Sequence, residues 1–239
     1  YSELSVDGST TALWHMNETS NDTCAGGVDV CDSSGNGYHG TETSTAIVAG
    51  VYGNGRDVSN GSANIQLASP YLDLTTTWTI EAWFKYPLAP MAAYNTLTRG
   101  NGGDHQIIVQ RSNMHLGGYD NVGATGFKDT GYVISNLSEG WHHIAAVANG
   151  STTTYYIDGI QAGSAVSWVS STDVRAIGGH FGIDQAWGTI DEVRISNNAR
   201  PASELRTNAR FWEDWKPFTA GTNFTILEDA TVHTNWVGT

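Results

Sequence analysis

Asp191 and Glu192 are adjacent carboxylates in a chain of 239 residues, and Glu81 is a third acid set in an apolar run. Hydrolysis of a glycosidic bond needs two carboxyl groups roughly 5–10 Å apart across the scissile bond. Neighbouring residues of a strand point to opposite faces, so Asp191 and Glu192 are not expected to act as that pair. Glu81 stands alone. The same alternation separates His142 from His143, one expected in the core and the other at the surface. No G-x-S-x-G nucleophile elbow occurs. Gly178-Gly179-His180-Phe181-Gly182, followed by Asp184, reads as a turn or as part of a binding surface.

Other residues suggest binding rather than catalysis. Aromatic rings stack on sugar rings, and the chain has 9 Trp and 10 Tyr. Most belong in the core, where large aromatics dominate. Trp83, Trp168 and Trp187 are the tryptophans to test as a saccharide platform, the last two lying in loop-like stretches. Cys24 and Cys31 sit seven positions apart in a Gly- and Asp-rich stretch. Only His39 is near enough to extend them into a zinc site, so a local disulfide is the better reading. It would place the protein in an oxidising, extracellular compartment. N-glycosylation sequons stand at Asn17, Asn21, Asn60, Asn136, Asn149 and Asn223. They add mild support for secretion.

These residues need strands to position them. Trp141–Val147, Thr152–Ile160 and Gly188–Ser196 are β-branched and apolar runs, and Asn149-Gly150 and Asp158-Gly159 lie between or within them. Such dipeptides tolerate the positive φ of tight hairpins, so this stretch predicts an antiparallel meander. Trp78–Lys85 alternates: Trp78, Ile80, Ala82 and Phe84 share the face between sheets, and Thr79, Glu81, Trp83 and Lys85 share a concave outer face. Thr96–Arg99 and His105–Gln110 are further strands, whereas Tyr119–Thr130 reads as a Gly-rich loop. Pro201 near a first turn predicts a short helix from Arg200.

Composition narrows the classes. With 39% hydrophobic and 15% charged residues and 28 Gly, short strands joined by many turns are expected. A net charge of −13 argues against nucleic acid, which requires clustered Lys and Arg. No apolar run approaches the roughly 18 residues of a membrane helix. The first residue is Tyr1, so a processed product or an excerpt is expected.

Four motifs recur in one order: Cys31–Gly40 (CDSSGNGYHG), Trp78–Lys85, the W-H-H strand with its Y-x-D-G hairpin, and Ile190-Asp191-Glu192-Val193-Arg194-Ile195. Together they resemble the laminin-G-like jelly rolls of the concanavalin A-like lectin/glucanase superfamily over roughly residues 10–205. The resemblance implies an all-β, two-sheet antiparallel jelly-roll sandwich. It also implies a structural Ca2+ bound by Asn17, the carbonyl of Gly53 and Asp191. The alternative is that Asp191 pairs with a basic side chain such as Arg56. Asp32 is either a ligand or, the better reading, a turn cap. Hydrolases of that superfamily carry an E-x-D-x-(x)-E string, which this chain lacks, so no enzyme activity is expected. The expected role is recognition of a glycan or an extracellular protein.

Residues 211–239 fall outside this pattern, dividing the chain into a jelly roll over 1–210 and a C-terminal extension. Phe224, Ile226, Ala230, Val232 and Trp236 show strand periodicity. An unplaced extension strand raises a second expectation, a structural subunit that joins a filament by strand addition to a neighbour.

Overall fold

In the computed structural model, which describes residues 3–210, 226–228 and 231–233, the first two runs of the predicted meander pair as a hairpin, whereas Gly188–Ser196 is separated from them in the same sheet by the strand that holds Trp78–Lys85. Strands are numbered β1 to β19 in chain order. The first sheet runs β14 (Ile160–Gln161), β13 (Thr152–Ile157), β12 (Gly140–Asn149), β7 (Thr77–Tyr86), β17 (Thr189–Ser196), β4 (Asn54–Asp57) and β3 (Ala46–Ala49). β1 (Thr10–Trp14) also pairs with β17. The second sheet runs β11 (Gly126–Val133), β10 (His115–Asp120), β9 (His105–Gln110), β8 (Tyr94–Arg99), β16 (Ala176–Ile177), β5 (Asn64–Leu67) and β2 (Gly40–Thr43). A two-stranded ribbon pairs β6 (Leu72–Asp73) with β15 (Asp173–Val174). The pairings within both sheets are antiparallel, and the sheets form a sandwich.

Hairpin chemistry sets the register. Ile157 pairs with Ile160, leaving Asp158 and Gly159 as the two central residues, at φ of 51° and 72°. Both are positive, as a type I′ turn requires. At the other hairpin Asn149 pairs with Thr152, so the turn is Gly150-Ser151, one residue later than the Asn-Gly dipeptide suggests.

Between the sheets lie Trp78, Ile80, Ala82 and Phe84 from β7, Ile144 and Ala146 from β12, and Leu97, Ile107, Val109 and Leu116 from the second sheet. The alternation predicted for β7 therefore holds on its inner side. Its other side is not an open face. Glu81 and Trp83 are fully buried. α1 (Ala202–Asn208) packs Leu205 onto Ala145 and Val147 there, and Tyr52 meets Trp83 edge-on at 6.4 Å. Both histidines of the W-H-H strand are buried too, against the expectation for one of them. His143 shares the covered side with Glu81, and His142 bonds Asp158 at 2.7 Å.

The loop expected at Tyr119–Thr130 is mostly strand. Gly117 and Gly118 of β10 lie opposite Asp129 and Lys128 of β11. A Cβ at Gly117 would strike the Lys128 carbonyl, so the pairing depends on glycine. Only Asn121–Thr125 remains as the turn.

The predicted disulfide joins Cys24 to Cys31, with Cα atoms 5.3 Å apart. Asp32 caps the loop that follows, accepting from the N–H groups of Leu13, Ser34 and Tyr38 at 2.9–3.0 Å. Residues 210–239 form a unit separate from 2–209. Within it β18 (Ile226–Glu228) pairs antiparallel with β19 (Thr231–His233). The single extension strand is thus two short ones, carrying Ile226 and Val232 respectively. Phe224, Ala230 and Trp236, like Asn223, lie outside the described residues.

Candidate functional site

Three connections of the second sheet converge at one end. The β8–β9 turn covers Gly100–Asp104, the β10–β11 turn covers Asn121–Thr125, and the 178–188 segment joins β16 to β17. Gly100 is required because a Cβ would meet the Asp173 carbonyl, and Gly179 because one would meet the Ala63 carbonyl. Asp104 ties two turns together. Its Oδ1 accepts from Asn121 N at 3.0 Å and Val122 N at 2.9 Å, and its Oδ2 accepts from Ser170 Oγ at 3.1 Å.

These turns enclose a cavity of about 420 Å3, within the roughly 300–1,000 Å3 range of small-molecule sites. Ile108 lines it, facing away from its core-directed neighbours Ile107 and Val109. The wall is a chain of rings. Tyr94 meets Tyr119 edge-on at 5.7 Å, Tyr119 meets His105 at 6.0 Å, and His105 meets His180 at 5.8 Å. His180 in turn lies 5.1 Å from Phe181. Arg99, Asn121 and Gln185 also line the cavity. Val122 and Ile183, two of the few large apolar residues left exposed, lie on the turns that bear Asn121 and His180.

The hydrogen bonds fix which groups face a ligand as acceptors. Thr96 Oγ1 donates to Gln185 Oε1 at 2.8 Å, so it accepts from His105 Nδ1 at 3.0 Å. His180 Nδ1 lies 2.8 Å from the Phe181 carbonyl, which can only accept. Nδ1 of each ring therefore carries the proton, leaving Nε2 as the acceptor. Burial, then the nearby Arg99 charge, pushes His105 down to about 3. Burial also lowers His180. Both rings are neutral at ordinary pH.

Of the four glycan-contact residues expected from sequence, His180 alone lines the cavity. Trp187 is fully buried in the core, edge-on to Phe84 at 5.7 Å. Trp83 is covered as described. Trp168 is half-buried against Gly118 on β10. Tyr94, Arg99, His105, Tyr119 and Gln185 were not singled out. Their sequence signal was weak: Arg99, His105 and Tyr119 sit at or next to strand ends beside glycine-containing turns, and Tyr94 and Gln185 carry no such mark.

A second cluster forms around the Gly50–Asn54 turn, on the first sheet. Asp191 Oδ2 accepts from the N–H groups of Val51 and Tyr52 at 2.8 and 3.0 Å. Asn17 Oδ1 accepts from Asn54 N at 2.9 Å, and the Gly53 carbonyl from Gly50 N at 3.1 Å. The three residues implied as calcium ligands therefore meet at one turn. Arg56 does not pair with Asp191; it donates to Asn21 Oδ1 and the Asp29 carbonyl and lies 3.7 Å from Glu18. Glu192 has a φ of 50° in a bulge of β17. A bulge breaks strict alternation, and Glu192 is buried with its carboxylate on His15 Nδ1 at 2.7 Å. Burial, reinforced by Glu192, raises Asp191 to about 8 despite its hydrogen bonds. Among the described residues Asp191 has no ion pair. A buried oxygen-rich site of this kind suits a hard cation.

Four sequon asparagines, Asn21, Asn60, Asn136 and Asn149, are exposed. Asn17 is half-buried and donates to Glu3 Oε1 at 2.6 Å.

A family model described as the concanavalin A-like lectin/glucanases superfamily matches residues 59–206. No curated protein matches the chain in sequence. Among solved structures, domain 4 of an extracellular arabinanase from Geobacillus stearothermophilus, in complex with arabinotriose, is 19% identical. That match has a TM-score of 0.63 and covers 84% of this chain and 98% of the other. The botulinum neurotoxin serotype D binding domain is 13% identical, with a TM-score of 0.58 over 84% of this chain and 51% of the other. Trypanosoma rangeli sialidase with sialic acid is 14% identical, with a TM-score of 0.60 over 87% and 34%. The present chain thus spans about half of the toxin domain and a third of the sialidase. At these identities the likeness is one of fold.

Proposed function

The chain belongs to the concanavalin A-like lectin/glucanase superfamily, and we propose that it is a non-catalytic glycan-recognition module whose site is the Tyr94–Tyr119–His105–His180 cavity. The observation that carries this reading is the lining itself. It presents rings, neutral imidazoles, two amides and a guanidinium, and no Asp or Glu among its lining residues. Rings stack on the apolar faces of sugars, and amides and Nε2 acceptors bond hydroxyls. Hydrolysis would need two carboxyl groups, and Asp104 nearby is committed to the turns. The arabinanase domain and the sialidase, each solved with a sugar, make a glycan a reasonable ligand class for this fold. The disulfide supports an extracellular setting.

In this reading a calcium ion serves the fold rather than the sugar. Asp191, the Asn17 amide oxygen and the Gly53 carbonyl would hold it. Its charge would compensate the buried Asp191 carboxylate.

The test is a glycan array probed with the intact protein and with Tyr119→Ala. Binding by the intact protein, weakened at least tenfold by the substitution, is expected. An intact, folded protein that retains no glycan overturns the proposal.

A further inference from the structure

The cavity sits in a strongly acidic chain, with 24 Asp and Glu against 11 Lys and Arg, yet the charged residue in its wall is a cation with a second one close behind it. Arg99 lines it. The Arg99 guanidinium lies over the Phe181 ring at 4.5 Å, and that of Arg175 lies over the same ring at 3.8 Å. The ring attracts each guanidinium, and Arg175 also lies 5.3 Å from the Tyr71 ring, but the two half-buried like charges repel each other.

Three other arginines of the fold are offset, whereas half-buried Arg111 and exposed Arg206 and Arg210 have no ion pair among the described residues. Arg56 lies beside Glu18, Arg194 bonds Glu81, and Arg200 bonds Asp7 and Glu204. Arg99 and Arg175 enter no ion pair among the described residues. The carboxylate whose field reaches both is Asp173, which forms an ion pair with neither and accepts from the Asn101 N–H at 2.6 Å. Donor capacity is unspent as well. A guanidinium has five N–H donors. Arg99 donates from Nη1 to the Gly100 carbonyl and Arg175 from Nη1 to Asn101 Oδ1, and Arg99 Nε is buried without a partner.

We propose, building on the glycan-recognition reading, that the sugar bound here is anionic, with a carboxylate or sulfate group received by Arg99 and Arg175. Planar guanidinium forks match such oxyanions bidentately. The Tyr94–Tyr119 rings and the Nε2 acceptors take the rest of the sugar. The ligand's negative charge then completes what the fold leaves unpaired.

The experiment titrates the intact protein, by calorimetry, with an oligogalacturonate, with its neutral methyl ester and with a sulfated oligosaccharide of similar length. The acid or the sulfated sugar is expected to bind at least tenfold tighter than the ester, and which of them binds identifies the anion. Arg99→Gln and Arg175→Gln should each remove that preference. Arg99→Lys should retain part of it, and Lys85→Gln, a matched loss of charge at an exposed site, should leave it intact. Thermal melts establish that the variants fold. Equal binding of acid and ester, or an acid preference that survives both Gln variants, overturns the anionic assignment while leaving glycan recognition standing. Should no sugar in the series or on the glycan array bind, the recognition reading fails and the anionic assignment with it.

Discussion

The outer faces of the two sheets handle charge in opposite ways. On the first, Glu81 is sealed under α1 and receives Arg194 Nε and Nη2 at 2.9 and 2.7 Å, His143 Nε2 at 3.1 Å and Asn208 Nδ2 at 2.9 Å. Arg200 extends the network to Asp7 and Glu204. Glu81, Asp7 and Glu204 each have an arginine beside them, and the face around them is closed. On the second sheet Arg99 and Arg175 share a ring, no carboxylate pairs with them, and the face is open. A buried charge is tolerated when paired and is costly when left alone. Removing one partner from the closed face is therefore costly, and the open one retains interaction capacity for something outside it.

Breaking the closed face should have the largest effect. Glu81→Ala leaves Arg194 and Arg200 with only the less buried Glu204 between them, and a loss of about 3–5 kcal/mol is expected, read from urea denaturation. The corresponding change on the open face, Arg99→Gln, should shift stability by less than about 1 kcal/mol while removing the acid preference. If the two variants are equally destabilised, the contrast between the faces fails.

Acid sharpens the same contrast. Burial alone would raise the Glu81 carboxyl, but the hydrogen bond to His143 and the attraction of His143 and Arg194 outweigh it and bring it to about 2. Its contribution is therefore complete above the ordinary carboxylate pKa of about 4.3. It is lost as pH falls through about 2. Denaturation midpoints should drop steeply over that window, and Glu81→Gln should flatten the drop.

Asp191 behaves with the opposite sign. Its folded value of about 8 means that between about 4 and 8 the unfolded chain has lost a proton that the folded chain retains. Without calcium, stability should decline across that window. Calcium at pH 8 should raise the melting temperature by several degrees, and Asp191→Asn should abolish both effects. A melting curve insensitive to calcium at every pH would remove the ion from this account.

The smallest effect expected is at Trp168. Trp168→Ala should cost stability through lost packing on Gly118 but leave sugar affinity unchanged, since that ring lies outside the cavity. A tenfold loss of affinity would instead extend the site along β10.

Local chemistry was readable in the sequence, and coverage was not. Asp158-Gly159 specified its own turn, Cys24 and Cys31 their own loop, and Trp78 to Phe84 the inner side of β7. Alternation assigned Trp83 and Glu81 correctly to the other side. It could not say that α1 would cover that side, because a helix more than a hundred positions later decides it. The cavity was hidden for a related reason. Tyr94, His105, Tyr119 and Gln185 are brought together only by the order of β8, β9, β10 and β16 in the sheet. Glu192 eluded the alternation rule through its bulge, which buries it beside His15.

Asp104 makes the turns around the cavity exchangeable as a set. Because one carboxylate seats the 121–122 backbone and is itself held by Ser170, replacement turns need only keep that acceptor and two N–H groups to dock on the same strands. The exposed side chain of Val122 is then open to diversification with little penalty to folding, whereas Asn121 also ties the turns through the Gly103 carbonyl. The scaffold is suited to laboratory evolution of binders, with libraries placed on the 121–125 turn, its tie to Asp104 and Gly103 kept and the sealed face left untouched.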